Sequence, residues 1–172
     1  ESVFRHSMAN PDNAALGEAS LHQGFRVNDG ELTCFFRDDG LSDLIGFTYS
    51  DWHADDAVAN LIQHLENIAA TTRGKDNALV SIILDGENAW EHFPENGYHF
   101  LNTLYRKLSE HPRLKMTTYS EYLASRRKSP RLKNMVSGSW VYGTFSTWIG
   151  DNDKNRGWDM LGDAKKVFDQ TM

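Results

Sequence analysis

The chain has 172 residues, about one domain's length and enough to bury one real hydrophobic core. Its 24 acidic against 18 basic residues give a formal net charge of −6, which disfavours a nucleic-acid partner on electrostatic grounds. The single Cys34 excludes an internal disulfide framework and makes a reducing cytoplasm the simplest setting. No apolar run approaches membrane-spanning length and no signal peptide is visible, so no membrane partner is expected.

In chain order, "ESVFRHSMAN" carries Val3, Phe4 and Met8 in a helical pattern already under way, and the last residues, "DAKKVFDQTM", end inside another. Both ends read as cuts in a longer protein, so residues 1–172 are expected to be a single-domain fragment. Glu31 to Asp38 reads as a strand, "DDG" at Asp38 to Gly40 as a turn, and Asp43 to Ser50 as a second strand. Val58, Leu61, Leu65 and Ile68 then recur at helical steps, with Gly74 beyond the end. Ala78 to Leu84 is a continuous apolar run, the pattern of a strand covered on both faces in a parallel sheet.

Asn96 is a candidate cap for a helix whose inner stripe is Phe100, Leu104 and Leu108. Leu114 to Thr118 reads as a short strand. Thr118 and Glu121 stand three apart, as in a capping box, and open a helix through Tyr122 and Leu123. Residues 125–150 mix basic residues, glycines and aromatics and read as an irregular functional loop or insertion. Within them the runs Arg126-Arg127-Lys128 and Arg131-Leu132-Lys133 are read as solvated. Trp158, Leu161, Lys165 and Phe168 mark a final helix. Met116, Met135 and Met160 are expected as core or gap fillers, and Cys34 as an inert buried thiol. "GDNDKN" at Gly150 to Asn155 is a loose acidic turn without calcium-loop spacing. The alternation of strands and helices with short connections predicts a parallel α/β architecture.

The chemistry is expected in "VSIILDGENAWEHFPENG", Val80 to Gly97. Loops at the carboxyl ends of parallel strands converge, so ligands meet them there. Asp85 and Glu87 follow the apolar run directly, and period-two geometry puts both on one side. Gly86 between them lets the backbone turn without steric cost. A carboxyl at the end of an Ile-Ile-Leu strand is partly desolvated, which favours its neutral form. A neutral carboxylic acid near neutral pH is what a glycosidase needs to protonate a leaving sugar oxygen. Five Trp, six Tyr and nine Phe supply flat rings on which sugars pack.

Three stretches together resemble glycoside hydrolase family 57, the α-amylase, amylopullulanase and glucan-transferase family. They are "FFRDDGLSDLIGFTYSDW" (Phe35 to Trp52), "ILDGENAWEHF" (Ile83 to Phe93) and "GSWVYGTFSTWIGDNDKNRGWDML" (Gly138 to Leu161). The resemblance implies the C-terminal portion of a seven-stranded (β/α) barrel with parallel strands. It implies a retaining enzyme acting on α-glucans or malto-oligosaccharides, with no cofactor and no metal, and with Asp85 as general acid/base. Glu87, Trp90, Trp52, Trp140 and Trp148 would line or support the glucan site. Arg37 and Asp38 would brace the acid network, or form a buried ion pair with structural work alone.

The family's nucleophile is a Glu from an earlier strand, and no matching motif stands in this sequence. Glu1 opens what looks like the helix after the family's next strand. "HQG" at His22 to Gly24 has Gly where the family's His-Gln-Pro motif has Pro, and it comes too late in the barrel. The expectation is therefore that the isolated chain is inactive, that the remainder of the parent barrel is its partner, and that open strand edges favour self-association. The alternatives are a metal-dependent polysaccharide deacetylase-like domain and a non-catalytic carbohydrate-binding module. The first wants a closely spaced His pair, and no two of the seven His stand four apart. The second is commonly a β-sandwich, against at least three helical patterns here.

Overall fold

A computed structural model of the chain describes residues 1–28, 30–125 and 128–171. The chain begins with helix α1 (Ser2–Met8), a 3-10 turn at Pro11–Leu16, and strands β1 (Gly24–Val27) and β2 (Thr33–Phe35). Helix α2 (Asp39–Phe47), a 3-10 turn at Tyr49–Asp51 and the long helix α3 (Ala54–Thr71) follow. Beyond them come α4 (Tyr98–Ser109), α5 (Tyr119–Ala124), β3 (Arg131–Leu132) and α6 (Asn152–Thr171). The strands form one sheet in the order β2-β1-β3, with β1 antiparallel to β2 and parallel to β3. The described strands are thus a small mixed sheet, in place of the run of parallel strands expected.

The helical expectations at Val58–Ile68, Phe100–Leu108 and Trp158–Phe168 correspond to α3, α4 and α6. Thr118 and Glu121 close a reciprocal capping box: Glu121 N–H donates to Thr118 Oγ1 and Thr118 N–H to Glu121 Oε2, both at 3.2 Å. The strand expected at Asp43–Ser50 is instead the helix α2. Asp38 Oδ1 accepts the Leu41 N–H at 2.9 Å, and Leu41 and Ile45, four apart, are buried on one face. Leu114 to Thr118 runs without ladder pairing. The cap of α4 is Gly97, not Asn96. Glu95 and Asn96 lie at φ 50° and 51°, and Gly97 at φ 81°, a left-handed run before the helix starts.

Two hydrophobic clusters hold the molecule. The larger joins α2, α3 and α4 through Ile45, Tyr49, Val58, Leu61, Phe93 and Phe100. The smaller sits under the sheet, where Phe4, Phe25 and Phe36 pack with ring centroids 5.1–5.7 Å apart over fully buried Leu132. Part of the aromatic surplus is therefore core, although Trp52, Trp140, Trp148 and Trp158 are exposed. The three methionines expected inside are exposed: Met116, Met135 and Met160. Cys34 is partly buried, and that burial pushes its thiol up, as suits an inert residue.

The basic run Arg126-Arg127 lies outside the described residues. Residues 128–150 otherwise contain β3 and a succession of turns. No helix among the described residues is long and apolar enough to cross a membrane.

Candidate active site

Val80, Ile82 and Leu84 pack against the larger cluster, while Ser81 and Ile83 face the other way. That alternation is strand geometry, yet no ladder forms. The segment is held instead by single bonds: Leu79 N–H to His22 O (2.9 Å), Asp38 N–H to Ser81 O (2.9 Å) and Ile83 N–H to the hydroxyl of buried Ser42 (3.2 Å). Asp85 follows in the same alternation, on the face of Ser81 and Ile83. At Gly86 the chain enters the turn 86–92 and the strand rule ends.

Asp85 and Glu87 are both exposed, so the partial desolvation expected of Asp85 is not provided within this chain. Nor does the turn require Gly86, whose φ is not positive. The glycine that matters is Gly97. A Cβ there would stand 2.9 Å from Trp90 Cε3, so the absent side chain is what lets the indole lie against the backbone. Trp90 is partly buried against Phe93 and Phe100, with centroids 5.4 and 6.0 Å away. It is as much a wall of the core as a lining of the rim.

The side chain that organises the rim is Arg37. Its Nε–H donates to Ile83 O at 3.0 Å, two residues before Asp85, while Nη1 and Nη2 donate to Asp39 Oδ1 and Asp43 Oδ1, each at 2.6 Å. Burial works against the guanidinium charge, but the hydrogen bonds and charges of Asp43 and Asp39 outweigh it and raise the Arg37 pKa. Its guanidinium carbon lies 5.7 Å from the centroid of the Trp140 ring, a cation–π distance. One arginine therefore links α2, the Asp85 segment and a Trp 103 positions further along.

Asp38 does not pair with Arg37. It accepts from His22, whose Nε2 lies 2.7 Å from Asp38 Oδ2, and from Leu41 N–H. Burial pushes the Asp38 carboxyl up, but the bonds from His22 and Leu41 and the His22 charge hold it below the usual carboxylate range. "HQG" thus carries a structural role through its histidine.

These contacts join Arg37 to the Trp140 ring and to the Ile83 carbonyl two residues before Asp85, while Trp90 packs with Phe93 and Phe100. Trp52 packs edge-on against Tyr49 and stays half exposed. Trp148 stands apart, exposed, its carbonyl accepting from Trp158 Nε1 at 2.8 Å. Sequence reasoning missed Asp39, Asp43 and Ser42. Asp39 and Asp43 are four apart and share one face of a helix, a signal hidden by taking the segment as a strand.

A family model described as glycosyl hydrolase family 57 matches residues 4–135, well over half of the chain, and the chain belongs to that family. The family comprises enzymes that hydrolyse or transfer glycosyl groups on a (β/α) barrel. The match takes in "ILDGENAWEHF" and the Arg37 stretch and stops before Trp140. No curated protein matches the chain closely enough to count as a relative. The match does not favour the binding-module or deacetylase readings. Among the described residues no group of three or more His, Cys, Asp or Glu is gathered as a metal site would need.

Proposed function

We propose that this chain supplies the general acid/base of a retaining glycoside hydrolase or transferase acting on α-glucans, and that Asp85 is that acid. The observation that carries this reading is the position of Asp85 inside the family match. There it lies open to solvent at the end of an extended segment clamped by Arg37. Trp140 and Trp90 offer rings to a glucan at this rim, with Glu87 beside them. Trp52 and Trp148 extend the contact on longer chains. Arg37 and Asp38 act as positioning residues, the first on the Ile83 carbonyl and the second on the α2 cap.

A retaining mechanism needs a second carboxylate about 5–5.5 Å from the acid. No motif here matches the family's nucleophilic Glu, so that group belongs to barrel strands outside these residues. Those strands and the bound glucan also supply the desolvation that keeps an acid protonated near neutral pH. The test is to incubate the chain alone with amylose or maltoheptaose. No new reducing ends are expected, and turnover that disappears in Asp85→Asn would overturn the division of labour.

A further inference from the structure

An open groove of about 900 Å³ runs between β1, the turn after α3 and the segment leading into β3, and none of Arg37, Asp85 and Trp140 lines it. Its rim carries three cations from three separate segments, Arg26, Lys75 and Lys128, against one carboxylate, Glu18. Among the described residues none of these four is in an ion pair. The Arg26 guanidinium makes one hydrogen bond, from Nη2 to Gly30 O at 3.4 Å. In a chain of net charge −6, acids to neutralise such a cluster are plentiful, yet the cluster is left open.

The floor beneath is fixed. Asn77 Nδ2 donates to Gln23 Oε1 at 2.8 Å and to Lys128 O at 3.0 Å, and Asn77 O accepts from the Tyr122 hydroxyl at 2.7 Å. The Lys128 backbone is thereby anchored at the groove. Like charges held round one concavity raise each other's energy, and a dianion relieves all three at once through charge-assisted bonds, roughly twice as strong as neutral ones.

We infer that this groove binds a phosphomonoester dianion carried on a sugar. Thr33 and Ser129 offer hydroxyls, and Leu16 and Pro130 apolar surface, to a pyranose body. The sugar half of the inference rests on the glucan-acting reading; the anion half does not. The ester is borne by a small sugar phosphate or by a phosphorylated glucan, which present the same chemistry.

The test is calorimetry on the full chain with glucose 6-phosphate. Inorganic phosphate, glucose and sodium chloride at matched ionic strength serve as controls. Saturable binding is expected for glucose 6-phosphate and none for glucose or chloride. Affinity should weaken as pH falls through about 6, where the phosphate takes up its second proton. The double variant Lys75→Gln, Lys128→Gln changes two exposed side chains, so its circular dichroism should be unaltered while affinity falls at least tenfold. Equal heats from chloride, or equal affinity in the double variant, would overturn the site. Inorganic phosphate binding as tightly as the sugar phosphate would overturn the sugar half. Phosphorylated starch binding more tightly than the same starch dephosphorylated assigns the ester to a polymer, and equal binding assigns it to the small molecule. Neutral maltoheptaose tests the Asp85 rim separately, so the two readings can fail independently.

Discussion

At the scale of single residues, Asn13 does for this fold what a disulfide does elsewhere. It is 1% exposed, and its Nδ2 donates to Ser7 O and Asn134 O at 2.8 and 2.7 Å while its Oδ1 accepts from Lys133 N–H at 2.8 Å. Removing it takes a partner from the Ser7 and Asn134 carbonyls and from the Lys133 N–H, and a desolvated unpaired group costs about 1–3 kcal/mol. Asn13→Ala is therefore expected to lose roughly 2–4 kcal/mol by urea unfolding; a loss near zero would contradict the role. Asp38 makes a prediction about pH. Its pKa is depressed in the folded state, so its contribution to stability is present above about pH 4, the unfolded carboxylate value, and is lost as pH falls below that. Asp38→Asn should flatten the acid limb of stability against pH and leave the neutral region less changed in slope. Neither role was legible in the sequence. An Asn in "PDNAAL" reads as a turn former, because its partners at Lys133 and Asn134 lie 120 and 121 positions away.

At the scale of elements, legibility followed how local the cause is. The α5 capping box is written in residues three apart, and it is found where expected. Segment α2 went astray because Ile45, Phe47, Thr48 and Tyr49 have strand-like propensities, which the Asp38 cap and burial against α3 override. Helix α6 was legible from its periodicity, but not its surroundings: none of its residues is buried, and it contains Gly157 and Gly162. A helix without packing is marginal in water, and each internal glycine costs about 1 kcal/mol against alanine. Amides of α6 should thus exchange far faster than those round Leu61 in α3. A Cβ at either glycine meets nothing within 4 Å, so Gly157→Ala with Gly162→Ala should raise helicity and slow that exchange. Unchanged exchange would mean that α6 is held by contacts beyond its own chain.

At the scale of the whole molecule, two clusters and a three-stranded sheet carry Arg37, which joins Asp39, Asp43, the Ile83 carbonyl and the Trp140 ring. The sequence made the family visible, in part because "DGENAW" interrupts an apolar run. It could not reveal that the run pairs with no ladder, since pairing depends on neighbours that no local pattern names. A segment with free backbone groups and short open strands is a template for further pairing. Light scattering is accordingly expected to report a mass above the monomer as concentration rises, and a strict monomer would count against it.

The central claim is that Asp85 delivers the proton to the departing sugar. The direct measurement compares Asp85→Asn with the unaltered sequence in the complete barrel, on a glucan and on an aryl glucoside whose leaving group needs little protonation. General acid catalysis is worth about 10²–10⁴-fold. The account predicts a loss of that order in kcat/KM on the glucan and a much smaller one on the aryl glucoside. A glucan rate unchanged by Asp85→Asn, or equal losses on both substrates, would contradict it.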